Sequence, residues 1–235
     1  MKLREIERLR AAAVLMVMVV HWVIDPRDLP EILRSSASGV DLFFVISGYV
    51  VTLSLVRMLP ALEAEASFVA AFDRARPVLQ AFYVRRFFRS LPAALAVMLL
   101  HRLLAGALPD TFGSVPSWWN EAVAFFGGVY NYARVFHNDW SLGVYWSLAV
   151  EEHFYLVLPM LFVVFRTTNR RLAACLGIAL ACVVARHFAR GAVPDEDLER
   201  YLQFASHLRF DSLMAGVALA LVAARGRSAT SASAT

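Results

Sequence analysis

Residues 40–59 read VDLFFVISGYVVTLSLVRML, a run of 20 residues whose only charged side chains are Asp41 and Arg57. A helix that crosses a bilayer needs roughly 20 mostly apolar residues, because the hydrocarbon core is about 30 Å thick. Lipid offers no hydrogen-bond partners, so the backbone of such a segment must pair with itself. The run is continuously apolar, whereas a strand of a membrane barrel would alternate. It therefore predicts a membrane-spanning helix.

Six further segments are predicted as spans on the same grounds. They cover residues 9–24, 91–108, 119–132, 145–165, 172–184 and 210–224. The composition agrees, since 59% of the 235 residues are hydrophobic, 18% are charged and the mean hydropathy is +0.57, whereas soluble domains are about 45–50% apolar. We predict an all-α fold, a polytopic integral membrane helical bundle of about seven spans. Because residues 119–132 contain Gly127-Gly128, this segment could instead be re-entrant, and that alternative stays open.

The basic residues predict the orientation of the first spans. Four of them lie before or in the first turn of the first span, two lie between the first and second, and six lie from the end of the second to the start of the third. Because cytoplasmic flanks carry the excess of Lys and Arg, we expect a cytoplasmic N-terminus, while the later topology stays open.

No basic run is interleaved with aromatics, which argues against a nucleic-acid partner. Residues 226–235 are small and polar and predict a disordered tail, leaving residues 1–225 as the membrane domain.

Ionisable residues inside predicted spans are functional candidates, because burying a charge in lipid costs several kcal/mol. Arg10 and His21 are 11 residues apart, so they lie on one helix face about 16 Å from each other. One interpretation is a guanidinium near the cytoplasm and an imidazole deep in the span. The alternative is that Arg10 reaches the headgroups and His21 ends the span beside Trp22.

The segment WSLAVEEHFY, residues 146–155, places two adjacent acids inside a predicted span. Ser147, Glu151 and Tyr155 are four residues apart and share a face, whereas Glu152 points about 100° away. One acid could pair with an arginine for assembly. The functional interpretation is that one of them orients a histidine or holds a hydroxyl group.

Three arginines, Arg85, Arg86 and Arg89, precede Pro92 and the third predicted span. Arg85 and Arg89 share one face of a helix start, and guanidinium groups bind phosphate through paired hydrogen bonds. The cluster is thus a candidate anion site. Membrane anchoring and contact with anionic lipids are the alternatives.

Two other groups of polar residues lie at the ends of predicted spans. Asp41 opens the second span, where the helix dipole tolerates an acid, and Ser47 with the following glycine forms a small patch suited to close helix packing. His207, Arg209 and Asp211 alternate before the last span, as a local ion pair or a cavity wall. No spacing of cysteines or histidines predicts a metal site.

Five stretches, taken together and in order, resemble the acyltransferase-3 family of membrane-integral enzymes that O-acylate cell-surface sugars. They are residues 9–21, with Arg10 and His21; 39–48, GVDLFFVISG; 82–92, FYVRRFFRSLP; 146–159, WSLAVEEHFYLVLP; and 209–216, RFDSLMAG. The resemblance implies an acyl-CoA donor, commonly acetyl-CoA, that enters from the cytoplasm, and no metal. It implies a sugar or lipid-linked glycan as acceptor, membrane lipids as surroundings and a bacterial inner membrane as location; it leaves the oligomeric state unknown.

The resemblance also assigns roles to residues. The catalytic candidates are His21, Glu151 and Glu152. The donor-binding candidates are Arg10, Arg85, Arg86 and Arg89. The candidates for substrate binding or structure are Asp41, Ser47, Trp146, Ser147, Arg209 and Asp211. His21 is expected to act as general base on the acceptor hydroxyl, or, in a variant, to carry the acyl group itself.

The chain departs from the family pattern in two respects. The family domain usually has about ten spans, so this chain is expected to lack the C-terminal ones, and His153 stands where many members carry Gln.

Two other functions stay open. A proton-coupled transporter would also bury His and Glu in spans, although inverted repeats are absent. A catalytically inactive membrane scaffold is the second.

Overall fold

A computed structural model describes residues 3–22, 38–59, 62, 67–109, 118–137 and 142–232. The side chains of residues 3, 20–22, 38, 118 and 227–232 lie outside that description. Every regular element in the described ranges is helical, which confirms the predicted class. The helices are α1 (Leu3–Trp22), α2 (Ser38–Met58), α3 (Phe68–Ala107), α4 (Trp118–Phe126), α5 (Tyr130–Phe136), α6 (Tyr145–Val164), α7 (Thr168–Ala192), α8 (Asp195–Phe204), a 3-10 turn (Ser206–Leu208) and α9 (Phe210–Ala232).

Within the described ranges, four helices are long and apolar enough to cross a membrane, so the predicted count of seven spans is not confirmed. They cover Gly39–Met58, Phe68–Ala107, Tyr145–Val164 and Thr168–Ala192. The segment 119–132 is interrupted after Phe126, where Gly128 adopts a φ of 70°. The resulting helices α4 and α5 have 9 and 7 residues, about 13 and 10 Å, and each is too short to span. In α1, acidic and basic residues crowd the first two turns.

Two helix boundaries differ from the sequence prediction. Helix α3 has 40 residues and begins at Phe68, where the Ser67 hydroxyl accepts a hydrogen bond from the Ala70 amide at 3.1 Å. The arginine cluster therefore lies in the middle of a helix, not at a helix start. At the other end of the chain, α9 continues to Ala232, past the predicted beginning of the disordered tail, in a segment rich in the helix former alanine.

The chain divides into two compact units. The first comprises Met1–Met58, Thr167–Ala181 and Phe210–Thr235, and the second Leu59–Arg166 and Cys182–Arg209. In the first unit, α2 and α9 approach so closely that a Cβ on Gly48 would lie 2.2 Å from the Leu213 carbonyl oxygen. A Cβ on Gly216 would lie 2.0 Å from the Val45 carbonyl oxygen. Close packing through glycine is typical of membrane helices.

In the second unit, α3 packs against α6 and the short helices. One buried cluster joins Met98 of α3 with Phe125, Tyr130 and Tyr145. The Tyr145 hydroxyl donates to the Ala94 carbonyl at 2.6 Å, which satisfies its polar end inside this apolar cluster. These contacts set α6 beside the middle of α3, where the charged residues lie.

Candidate active site

The arginine cluster of α3 divides into exposed and half-buried members. Arg85 and Arg89 are exposed, as the four-residue spacing allows, whereas Arg86 is half-buried. The guanidinium carbon of Arg86 lies 4.9 Å from the centre of the Tyr155 ring and 5.6 Å from that of Phe82. Such cation–π contacts stabilise a charge that has lost part of its water. Arg86 thus points into the second unit.

Glu151 and Tyr155 of α6 lie next to Arg86. The Tyr155 hydroxyl donates to Glu151 Oε2 at 2.8 Å, which confirms the predicted shared face for this pair. Arg86 interacts electrostatically with both groups. The carboxylate of Glu151 is therefore held within a local Arg86–Tyr155–Glu151 cluster.

Beside this cluster is a pocket of about 600 Å³ between α3, α4 and α6. Its walls are largely apolar and include Phe87, Phe125 and Leu156, while Arg86 and Glu152 contribute its charged groups. Glu152 makes no hydrogen bond or ion pair with any residue in the described ranges. The two adjacent acids therefore differ: Glu151 is engaged by its neighbours, and Glu152 lines a space that a ligand can occupy. The size and the few polar groups are typical of small-molecule sites.

The predicted residues at the start of α6 have local contacts. Trp146 is buried, with its ring centre 5.2 Å from that of Phe204. The Ser147 hydroxyl donates to the Val144 carbonyl at 3.0 Å. Neither residue lines the pocket described above.

The other predicted residues lie in or near the first unit. On α1, Arg10 pairs with Glu7 at 3.1 Å, and the side chain of His21 is outside the described residues. Asp41 accepts a hydrogen bond from the Ser212 hydroxyl at 2.7 Å, which links α2 to α9. Three residues remain: Ser47 is buried in α2, Arg209 follows the 3-10 turn, and Asp211 is in the first turn of α9.

Sequence reasoning missed a polar network in the second unit. The Asn131 amide donates to the Ser206 Oγ at 2.9 Å and to the Phe204 carbonyl at 2.9 Å. His153 Nδ1 is 2.6 Å from the same Ser206 Oγ. Asn131 is fully buried, and Ser206 is 4% exposed. The network joins residues more than 50 positions apart, and its one local signal in the sequence was Asn131 between the two tyrosines Tyr130 and Tyr132.

His207 lies in a second polar cluster. Its Nδ1 is 3.0 Å from the Tyr132 hydroxyl and its Nε2 is 3.1 Å from the Tyr201 hydroxyl. The Tyr132 and His207 rings are stacked, with centres 5.9 Å apart. The side chain of His207 is exposed in part, and the burial of the rest of the ring lowers its pKa. Both nitrogens thus have hydroxyl partners that suit a neutral ring.

In the described ranges, no group of three His, Cys, Asp or Glu side chains is placed to hold a metal ion. The chemistry available to the pocket is that of a guanidinium, a carboxylate and apolar walls. Such groups can bind an anion, accept a hydrogen bond from a hydroxyl and exclude water.

Comparison with known proteins gives a match over almost the whole chain. The family described as an acyltransferase domain matches residues 3–226. The peptidoglycan O-acetyltransferase OatA of Listeria monocytogenes is 30% identical over 92% of this chain and 33% of its own length. Nodulation protein 10 of Rhizobium leguminosarum is 32% identical over 71% of this chain and 43% of its own. An uncharacterised protein of Haemophilus influenzae is 28% identical over 77% of this chain and 74% of its own.

The chain therefore spans about a third of the length of OatA. No solved structure matches it.

Proposed function

This chain belongs to the acyltransferase-3 family, and we propose that it moves an acyl group, acetyl in the simplest case, from acyl-CoA to a hydroxyl of a cell-surface or lipid-linked sugar. The observation that carries the proposal is the pocket of the second unit, where Arg86 and Glu152 reach into an apolar lining. OatA, by its name, acetylates peptidoglycan, and that supports a glycan acceptor.

The donor side of the reaction needs cations, because coenzyme A carries several phosphate charges. We assign these phosphates to Arg85 and Arg89, whose side chains are exposed one helical turn apart on α3. Arg86 and Arg10 are proposed as further contacts. Guanidinium groups suit this role, since they pair with phosphate oxygens through two hydrogen bonds at once.

The acceptor side needs a base and a group that holds the hydroxyl. We propose that His21 takes the hydroxyl proton, because an imidazole titrates near neutral pH. The hydroxyl oxygen then attacks the thioester carbonyl, the carbon–sulfur bond breaks, and the thiolate leaves. We assign Glu152 to hold the acceptor, because Glu151 is engaged by Tyr155 and Arg86. Transfer through an acyl-histidine on His21 is the variant.

Four of the remaining predicted residues have contacts that favour structural roles. Asp41 accepts a hydrogen bond from Ser212, Ser47 is buried in a span, Trp146 packs on Phe204, and Ser147 bonds its own helix. For Arg209 and Asp211 we retain both predicted roles, substrate binding and structure. The reaction is proposed to take place in the bacterial inner membrane.

The test is transfer of radiolabelled acetyl from acetyl-CoA to surface polysaccharide in cells that express the full chain. We expect labelled polysaccharide with the wild type and none with His21→Ala, at equal amounts of protein in the membrane. His187→Ala is the matched control, because His187 is an exposed histidine of another candidate span. Full labelling by His21→Ala would remove the base assignment.

The donor site is tested in the same membranes. Arg85→Ala combined with Arg89→Ala should raise the KM for acetyl-CoA about tenfold, since each lost charge-assisted hydrogen bond is worth roughly 1.5–3 kcal/mol before solvent screening. An unchanged KM would exclude both arginines from the donor site. A wild type that neither transfers acetyl nor binds coenzyme A would favour the inactive scaffold.

A further inference from the structure

Ser206 joins three parts of the second unit through its hydroxyl group. Its Oγ lies 2.9 Å from the Asn131 amide of α5 and 2.6 Å from Nδ1 of His153 on α6. On the far side of the imidazole, Nε2 faces the backbone of Gly128, which interacts with the ring. The ring of His153 is thus held at both nitrogens, by partners from two different segments.

The direction of these hydrogen bonds follows from the groups involved. The Asn131 amide can only donate to the Ser206 oxygen, and we assign the single hydroxyl proton of Ser206 to Nδ1 of His153, which lies 2.6 Å away. A neutral imidazole that accepts at Nδ1 carries its proton at Nε2. That proton points to the backbone of Gly128, whose carbonyl is the acceptor. The four groups form one hydrogen-bond chain, in which Asn131, Ser206 and His153 each donate to the next group and the Gly128 carbonyl accepts.

The hydrogen-bond chain affects the pocket through the residue that precedes His153 on α6. Glu152 precedes His153 directly, and successive residues on a helix point about 100° apart. An imidazole fixed at both nitrogens therefore fixes the rotation of α6 about its own axis at this point. With that rotation fixed, the Glu152 side chain remains in the pocket wall, where it has no hydrogen-bond partner in the described ranges.

We propose that Asn131, Ser206 and His153 are positioning residues, which hold the carboxylate of Glu152 in the place where it meets the acceptor hydroxyl. The inference rests on the proposed function, since that function gives Glu152 its role. Misplacing a catalytic group by about 1 Å can slow a reaction about 100-fold. The network needs no contact with substrate to have an effect of this kind.

The kinetic test uses the full chain in lipid nanodiscs, with acetyl-CoA and the glycan acceptor identified by the labelling experiment. Ser206→Ala should lower kcat at least tenfold and leave the KM for acetyl-CoA within twofold. His153→Gln should keep kcat within threefold, because a Gln amide can accept from Ser206 and donate to Gly128. Ser67→Ala is the matched control: it also deletes one serine hydrogen bond, at the exposed start of α3, and should leave both constants unchanged.

The hydrogen-bond chain is tested without activity, by nitrogen-15 NMR of labelled histidine, with the His153 signals identified by their loss in His153→Gln. We expect a neutral ring protonated at Nε2. A cationic ring or a proton at Nδ1 would overturn the chain. Equal kcat for wild type and Ser206→Ala, or a loss confined to KM, would overturn the positioning role. A wild type without transfer activity overturns the proposed function and the positioning role with it, and the tautomer still decides the hydrogen-bond chain.

Discussion

At the scale of single residues, neighbours in the sequence have separate tasks. Arg85 and Arg86 are adjacent, yet one is exposed and the other lies over the Tyr155 ring. Glu151 and Glu152 are adjacent, yet one accepts from Tyr155 and the other lines the pocket. The helix turns about 100° per residue, so a pair of like charges is divided between two environments. The two members of each pair therefore have different neighbours.

His207 leads to a residue-scale prediction about pH. Its pKa in the folded chain is below the unfolded value of about 6.5, so around that pH the unfolded chain binds more protons. Stability is therefore full above about pH 6.5 and is lost as the pH falls towards the folded pKa. We expect the unfolding temperature in micelles to fall between pH 7.5 and 5.5.

The control for this effect is His207→Gln, which keeps a hydrogen-bonding side chain between Tyr132 and Tyr201 without titrating. Its unfolding temperature should depend less on pH than that of the wild type. An identical pH dependence in the two proteins would assign the effect to other groups.

At the scale of elements, glycines decide how closely helices approach. Gly48 and Gly216 face backbone atoms of the opposite helix at distances where no Cβ fits. The Asp41–Ser212 hydrogen bond lies at the same α2–α9 contact. Small residues in membrane helices let dispersion and hydrogen bonds replace the hydrophobic effect, which does not act between helices in lipid. These close approaches therefore set how near α2 and α9 lie to each other.

Gly216→Ala should destabilise the protein by at least about 2 kcal/mol, because the new methyl group overlaps the Val45 carbonyl, which is backbone and cannot rotate away. Unfolding in mixed micelles measures the loss. Gly226→Ala on the same helix is the control, since nothing lies within 4 Å of its Cβ position; it should be neutral or stabilising by up to about 1 kcal/mol. Equal stability of the two variants would contradict the close contact.

At the scale of the whole molecule, long apolar helices leave much of their surface exposed. Only 17% of the apolar window of Phe68–Ala107 is buried, and the side chains of Leu103 and Leu176 are 71% and 73% exposed. In water such surfaces would be large hydrophobic patches, which soluble monomers avoid. In a bilayer these surfaces contact the lipid hydrocarbon, so they need no protein partner. The four long apolar helices and the family together fit an integral membrane protein.

Orientation is a whole-molecule prediction. The basic residues at the start of the chain predict a cytoplasmic N-terminus. A protease should therefore remove an N-terminal tag from inside-out vesicles and leave it intact in right-side-out vesicles. The reverse pattern would invert the topology and place the arginine cluster of α3 away from cytoplasmic acyl-CoA.

The sequence by itself determined the features that depend on local spacing. Continuous apolar runs predicted the helical class, because a backbone in lipid must pair within its own segment. Four-residue spacing predicted the contact of Glu151 with Tyr155, since such residues meet on any helix. The arginine, histidine and acidic motifs in their order predicted the family, which the match over residues 3–226 confirms.

Tertiary structure alone decided which charges face inward and which distant residues meet. Ser206 contacts His153 across 53 positions, and Gly216 approaches Val45 across the first unit. No local period carries that information, because it depends on how separate helices pack. The helix lengths predicted from the sequence were wrong for a related reason. Hydropathy shows which residues can lie in lipid, but it does not show where a helix begins or ends. Capping by Ser67 sets the start of α3, and the Gly127-Gly128 break ends α4.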